Sequence, residues 1–240
     1  MDLSGPFRLA FKPLTGFQDE ARAEVPAGRA FLRMLAWRTV LGWADGALSL
    51  WGLAAGYAGF KAMEGPVWGR LLAMVTQLNP ELRAEDVRAL VADLPALPSL
   101  GRMLLWMLPL VPLGVASAWL HNLVWDHGCL WLLRGVERTK GWRITARAES
   151  SALWAGSAGV AIGLLGHLPV LGLVLGPVLG ALGIYFWVLR GVALAAFHGC
   201  PVWKGVAATL LHVVIAVVCG CGMVFVAWQL ALSMAAPAYG

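Results

Sequence analysis

Four ionisable side chains stand within long apolar stretches of the sequence, where they could form ion pairs, relay protons or hold a charged substrate. They are Asp45, His121, Arg190 and His212. At the centre of a bilayer a charged side chain costs about 2.5 to 3.5 kcal/mol on insertion scales, so it usually pairs with another group or a substrate. Counting along the predicted spans puts Asp45 and Arg190 at equal depth, about 10 Å below one surface. We therefore expect one intramembrane polar cluster.

Three interpretations of this cluster stay open. In the first it is structural: Asp45 and Arg190 pair, or Arg190 extends to the lipid headgroups, and each histidine bonds to a carbonyl group. In the second it is the substrate or proton path of a transporter. In the third, His121 and His212 are the axial ligands of a haem.

Sequence signatures of catalysis are missing from the chain. There is no G-x-S-x-G, H-E-x-x-H, P-loop or paired-carboxylate motif. His121, Asp126, His127 and Cys129 have side chains that suit a metal, but their spacing matches no metal motif. We expect no catalytic residue, no metal ion and no cofactor.

The composition identifies the elements that must position these residues. Of 240 residues, 60% are apolar and 13% are charged, whereas soluble domains are usually about 25% charged. The apolar residues form long blocks, which indicates an all-α, polytopic membrane helix bundle and excludes a soluble enzyme. We attribute the net charge of +5 to segments facing the cytoplasm and not to nucleic-acid binding.

Five segments are predicted as transmembrane helices, since about 20 apolar residues cross the hydrocarbon, and the third of them is short at 15 residues. They are 39–60, 103–125, 151–165, 170–197 and 202–232. They form one membrane domain, 39–235, after an N-terminal segment, 1–38. Residues 166–169 are either a break between the third and fourth spans or a kink in one long helix.

The distribution of basic residues predicts the orientation. Segment 1–38 holds six basic residues and loop 126–150 holds five, with Lys204 on the same side. In loop 61–102, on the other side, five basic residues are balanced by five acidic ones. This pattern predicts a cytoplasmic N-terminus, an external loop 61–102, a cytoplasmic loop 126–150 and an external C-terminus.

Two short amphipathic surface helices are predicted between the first and second spans. One covers 66–78, with apolar residues at helical spacing. The other starts at Asn79, Pro80 and Glu81, which suit the N-cap and first turn, and ends before Pro95. Each is too short and too charged to span, so we expect both on the outer membrane surface.

Several segments in the second half of the chain carry a family resemblance. Residues 126–135 read DHGCLWLLRG, 141–151 read GWRITARAESS, 168–172 read LPVLG, 185–189 read YFWVL and 197–205 read FHGCPVWKG. In order and spacing they resemble the bacterial Yip1 family: a His before a Leu-rich helix end, a Thr-x5-Ser, a Pro-x-x-Gly turn, a Trp-containing fourth span and a His-Gly turn. The family has Ala where Gly205 stands here. The resemblance implies a five-span fold with a cytoplasmic N-terminus, but not the Rab binding of eukaryotic members, whose acidic and Tyr-Gly motifs are missing.

These observations predict a non-enzymatic membrane protein that organises the bilayer or helps to assemble a membrane complex. The alternative is a small transporter or lipid-handling permease that uses Asp45, Arg190 and the histidines. Expected partners are the lipid bilayer, another membrane or cytoplasmic protein, or a second copy of the chain, and no nucleic acid. Arg outnumbers Lys fourteen to four, a bias common in high-GC bacteria, so we expect a bacterial inner membrane.

Overall fold

A computed structural model describes residues 4–62, 66–78, 83–136 and 141–235. These residues form α-helices with no β-strand among them, so the predicted all-α class is confirmed for this part of the chain. The helices are α1 (Ser4–Phe11), α2 (Pro13–Arg22), α3 (Ala27–Ala62), α4 (Pro66–Leu78), α5 (Ala84–Ala92), α6 (Leu100–Leu132), α7 (Trp142–Gly163), α8 (Pro169–His198) and α9 (Val202–Ala235).

Three of these helices contain a segment long and apolar enough to cross a membrane. The segments are Leu100–Leu132, Val170–His198 and Val202–Ala231. The membrane class is thereby supported, and three of the five predicted spans have a matching helix. In the described part of the chain, α3 and α7 are not among the helices that meet the same criterion of length, hydropathy and charge. Their crossing stays a prediction.

The chain divides into two compact units. One comprises Met1–Leu41 and Pro112–Gly240, and the other is Gly42–Val111. This division does not follow the predicted boundary at residue 38. The first unit contains the N-terminal helices because α1 packs on α7 and α2 packs on α8.

The core of the first unit joins residues from both ends of the chain. Leu9, Phe17 and Met34 come from α1, α2 and α3, and they pack with Trp154 of α7 and Leu189 of α8. All five are at most 5% exposed. Residues 4–22 are therefore part of the packed bundle.

A true break separates α7 from α8. Residues Leu164–His167 form a 3₁₀ turn, and Leu168 then takes an extended conformation with φ −78° and ψ 123°. Pro169 starts α8 in its first turn, where a missing N–H is tolerated. Of the two predicted alternatives for 166–169, the structure has the break and not the kink.

The connection between α6 and α7 is shorter than the predicted loop 126–150. Helix α6 continues to Leu132 and α7 begins at Trp142, so the first and last parts of that loop are helical. The prediction ended the second span at residue 125 and began the third at residue 151, which left Asp126 and Glu149 in the loop. Both side chains are instead 0% exposed.

The second unit contains the two predicted short helices. They are α4 and α5, and among their described side chains Leu72 of α4 and Val91 of α5 are buried. The predicted start at Asn79, Pro80 and Glu81 lies outside the described residues. Helix α5 begins at Ala84, where the Arg83 backbone N–H donates to Asp86 Oδ2 at 3.1 Å. The structure contains no membrane, so the predicted location of α4 and α5 on the membrane surface stays a prediction.

Helices α8 and α9 lie in close contact at two glycines. A Cβ built on Gly191 would lie 2.5 Å from the Cα of Val206, and one built on Gly205 would lie 2.0 Å from the Gly191 carbonyl oxygen. Real Cβ atoms do not come so close to backbone. Small residues at such a crossing let helix backbones touch.

Candidate functional site

Five ionisable side chains from four helices form a buried network, which we call the polar centre. His121 and Asp126 come from α6, Glu149 from α7, Arg190 from α8 and His212 from α9. Asp126 and Glu149 are 0% exposed and His212 is 4% exposed. All five belong to the first unit.

Asp126 is the hub of the polar centre. One carboxylate oxygen, Oδ2, accepts a hydrogen bond from Arg190 Nη2. The other, Oδ1, lies 2.6 Å from His212 Nδ1. Arg190 Nε in turn lies 3.5 Å from Glu149 Oε2, an ion-pair contact outside hydrogen-bond geometry. One aspartate thus links α6 to α8 and to α9.

The two histidines extend this network. His212 Nε2 lies 3.0 Å from His121 Nε2, the distance of a direct hydrogen bond. Because His212 Nδ1 faces a carboxylate, it must carry a hydrogen. A neutral His212 therefore accepts at Nε2 from His121, while a protonated His212 donates to His121. The direct bond leaves no space for a haem iron between them.

The formal charges of the polar centre do not cancel. Asp126 and Glu149 supply two negative charges against the single positive charge of Arg190, when both histidines are neutral. Buried charges without compensation are strongly unfavourable. With both carboxyl groups ionised, the polar centre therefore holds one negative charge that Arg190 does not balance.

A second buried contact, which we call the threonine bridge, joins α6, α7 and α8. Thr145 Oγ1 lies 2.8 Å from His127 Nδ1 and 2.9 Å from His198 Nε2. Its hydroxyl also donates to the Gly141 carbonyl oxygen at 3.2 Å. A hydroxyl has one hydrogen to donate and two lone pairs to accept with, so these three contacts satisfy it.

Replacing Thr145 by Val should lower the stability of the bundle. Valine keeps the shape but removes the hydroxyl, and the His127 ring, 2% exposed, loses that partner. Such a loss costs about 1 to 3 kcal/mol. The measurement is the thermal unfolding of the purified protein in detergent.

Thr209→Val is the matched control for this substitution. Thr209 is also 0% exposed, but its hydroxyl bond among the described residues stays within its own helix, to the Val206 carbonyl oxygen at 2.9 Å. We expect less than about 1 kcal/mol of loss there. Equal losses at Thr145 and Thr209 would show that the bridge adds nothing to ordinary threonine burial.

The structure brings three of the four predicted cluster residues together. Arg190 and His212 both contact Asp126, and His121 contacts His212. Asp45 lies on α3 in the second unit and has a contact of its own. Its pairing with Arg190 would join the two units and stays a prediction.

Sequence reasoning missed the two carboxylates of the polar centre. Asp126 and Glu149 were assigned to a cytoplasmic loop, although the apolar pattern of α6 continues beyond Asp126 to Leu133. That continuation was the available signal for Asp126. His127 and Cys129, grouped with Asp126 as a metal-like set, point elsewhere: His127 contacts Thr145, and Cys129 is buried in apolar surroundings.

A cavity of about 430 Å³ lies beside the polar centre, between α7 and α8. Arg38 and Arg190 line it together with Gly159, Gly183 and Trp187. Most of its remaining wall is apolar, so the cavity combines a cationic part with an apolar part. No group of three or more His, Cys, Asp or Glu side chains is placed to hold a metal ion within the described ranges.

Comparison with protein-family models, with curated proteins and with solved structures finds no match to this chain. The resemblance to the Yip1 family therefore remains a prediction from the residues quoted above. The polar centre holds four helices together through ion-pair and hydrogen-bond contacts, and these contacts are the chemistry from which a function can be argued.

Proposed function

We propose that this chain is a non-enzymatic, multi-pass membrane protein of the Yip1 type that organises the bilayer or helps to assemble a membrane complex. In this proposal it has five spans, a cytoplasmic N-terminus and an external C-terminus, and lies in a bacterial inner membrane. The three long apolar helices support the membrane assignment.

The proposal rests on the contacts that the charged side chains of the polar centre make with one another. Asp126 and Glu149 are fully buried, and Arg190 contacts both of them. A transporter needs charged groups that a substrate can reach. Here they hold α6, α7, α8 and α9 together, which is the behaviour of a structural element.

Helix lengths indicate that the polar centre would lie near one boundary of the bilayer hydrocarbon. His121 lies about 31 Å from Leu100 along α6, Arg190 about 30 Å from Val170 along α8, and His212 about 29 Å from Ala231 along α9, at about 1.5 Å per residue. The hydrocarbon of a bilayer is about 30 Å thick. If the far ends of the three helices mark one boundary, the polar centre lies at the other.

The packing of α7 on α8 supports a fourth span. Thr145 near the start of α7 contacts His198 at the end of α8, and Gly159 further along faces the ring of Phe186. The two helices therefore run side by side in opposite directions. If α8 crosses the bilayer, α7 has to cross beside it, despite its lower hydropathy.

Cysteine labelling on intact cells tests this topology. A membrane-impermeant maleimide should label Asp86→Cys and Leu165→Cys from outside, since both would lie in external connections. Arg134→Cys should react only after the membrane is opened. Labelling of Leu165→Cys and Arg134→Cys from the same side would mean that α7 does not cross and would contradict the five-span proposal.

The second candidate is a lipid-handling permease, and the cavity beside Arg190 is the observation that favours it. Proteoliposomes containing a fluorescent phospholipid distinguish the two candidates, because a permease would move the lipid between leaflets. If the protein is structural, the lipid should move between leaflets no faster in the proteoliposomes than in protein-free vesicles. A rate that rises with protein density and falls in a Glu149→Gln variant would favour the permease.

A further inference from the structure

We propose that the cavity between α7 and α8 is a binding site for an anionic phospholipid, with the phosphate at Arg38 and an acyl chain along the groove. The inference rests on the proposed membrane placement and names a ligand that either candidate function could use. It depends on the charge at one end of the cavity, on the shape of the rest and on the depth of both.

The positive charge available in the cavity belongs to Arg38. The described contact of its guanidinium is with a neutral acceptor, the Gly156 carbonyl oxygen, at 3.4 Å. Arg190, which lines the same cavity, is already in contact with Asp126 and Glu149. No carboxylate is paired with Arg38 among the residues that the structure describes. A half-buried guanidinium without a carboxylate favours an anion, and phosphate suits its planar fork of donors.

A second donor in the same wall lacks a partner. The indole Nε1 of Trp187 is buried, makes no hydrogen bond among the described atoms, and belongs to a residue that lines the cavity. An indole nitrogen can only donate. A phosphate or ester oxygen supplies the acceptor that this group is missing.

The rest of the cavity has the form of an acyl-chain groove. Its walls extend over residues 152–163 of α7 and 179–190 of α8, about 16 Å at 1.5 Å per residue. Glycines 156 and 163 leave the α7 wall without side chains, the Phe186 ring packs against Gly159, and Leu179 and Leu182 add to the apolar α8 wall. Gly183 is exposed, so the groove can be entered from the surface of the bundle.

The depth of the cavity selects a lipid over a soluble anion. Its end at Arg190 is level with the polar centre, which the helix lengths put near a membrane boundary. From there α7 runs toward Gly163 and α8 runs back toward Leu179, both away from that boundary. A molecule that places its charge there and its chain inward matches a phospholipid.

The test measures lipid retention by native mass spectrometry on the purified full-length protein. Dioleoylphosphatidylglycerol is the anionic probe and dioleoylphosphatidylcholine the zwitterionic one, each titrated in detergent. We expect phosphatidylglycerol to bind about tenfold more tightly, because phosphatidylcholine carries a cation that Arg38 repels. Inorganic phosphate at millimolar concentration should not displace the lipid.

Three variants address the two halves of the site. Arg38→Gln should remove the preference for phosphatidylglycerol, while Arg38→Lys should keep part of it. Gly183→Leu should weaken both lipids, since a Cβ there meets no atom within 4 Å and a larger side chain can fill the groove. Arg29→Gln on the exposed face of α3 and Gly180→Leu, outside the lining, are the matched controls.

Equal affinity for the two lipids, or an unchanged preference in Arg38→Gln, would overturn the proposal. Displacement by inorganic phosphate would instead make the cavity a site for soluble anions, which also contradicts it. If Arg38→Gln does not fold, Gly183→Leu and Arg38→Lys still decide the outcome. Cysteine labelling is scored separately, so a failure of lipid binding is distinguishable from a failure of the proposed topology.

Discussion

Replacing Arg190 by glutamine should destabilise the bundle more than any other single neutralisation in the polar centre. The variant leaves Asp126 and Glu149, both 0% exposed, without their cation. Breaking a buried pair in this way costs about 3 to 5 kcal/mol. Glu149→Gln should cost least, because it leaves Arg190 and Asp126 as a balanced pair and removes the excess negative charge. Thermal unfolding in detergent measures this order.

The triple variant Asp126→Asn, Glu149→Gln, Arg190→Gln separates charge coupling from shape. It removes all three charges together, so it should be more stable than Arg190→Gln alone. Arg29→Gln, an exposed arginine of α3, is the control and should change little. A triple variant that loses the sum of the three single losses would show that these charges do not stabilise one another.

The predicted pairing of Asp45 with Arg190 can be measured by the same kind of cycle. If the two side chains interact, the double variant Asp45→Asn, Arg190→Gln should be more stable than the sum of the single losses implies. Strictly additive losses would remove Asp45 from the cluster and leave Arg190 to Asp126 and Glu149.

Adding one methyl group at Gly205 should separate α8 from α9. In Gly205→Ala the new Cβ would lie 2.0 Å from the Gly191 carbonyl oxygen, and backbone cannot move aside as a flexible side chain can. Overpacking of this kind costs about 1 to 3 kcal/mol, and more where backbone must shift. Since Arg190 precedes Gly191, the shift should also disturb its contact with Asp126. Folded yield and unfolding temperature should both fall.

Gly220→Ala on the same helix is the matched control. A Cβ at Gly220 meets nothing within 4 Å, and alanine favours helix over glycine by about 1 kcal/mol. That variant should be as stable as the parent or more so. If Gly205→Ala behaves like Gly220→Ala, the close approach of α8 and α9 is not required for folding.

Part of the candidate site could be predicted because the rise of a helix is fixed. Depth counted along the sequence put Arg190, His121 and His212 on the same half of the bilayer, and the structure joins them through Asp126. Hydropathy likewise predicted α6, α8 and α9. Both arguments depend only on residues close together in the chain.

The rest depended on contacts between distant residues. Asp126 is buried because Arg190 and His212, 64 and 86 residues further on, compensate its charge. A hydropathy profile averages over sequence neighbours and therefore contains no information about such distant partners. Gly205 is a second example, since the resemblance suggested that alanine is usual there. Only the position of Gly191 on the facing helix shows why a Cβ does not fit.

The packing of α1 against α7 and α8 imposes an order on biosynthesis. The Tyr185 hydroxyl donates to the Ala10 carbonyl oxygen, which was made 175 residues earlier, and Gly5 lies against the ring of Trp154. At about 5 to 20 residues per second, roughly 10 to 35 seconds separate the two ends of that hydrogen bond. Helices α1 and α2 therefore leave the ribosome before α7 and α8, the helices on which they pack, have been made. During that interval the apolar side chains of Leu9 and Phe17 lack Trp154 and Leu189, with which they form one core in the folded bundle.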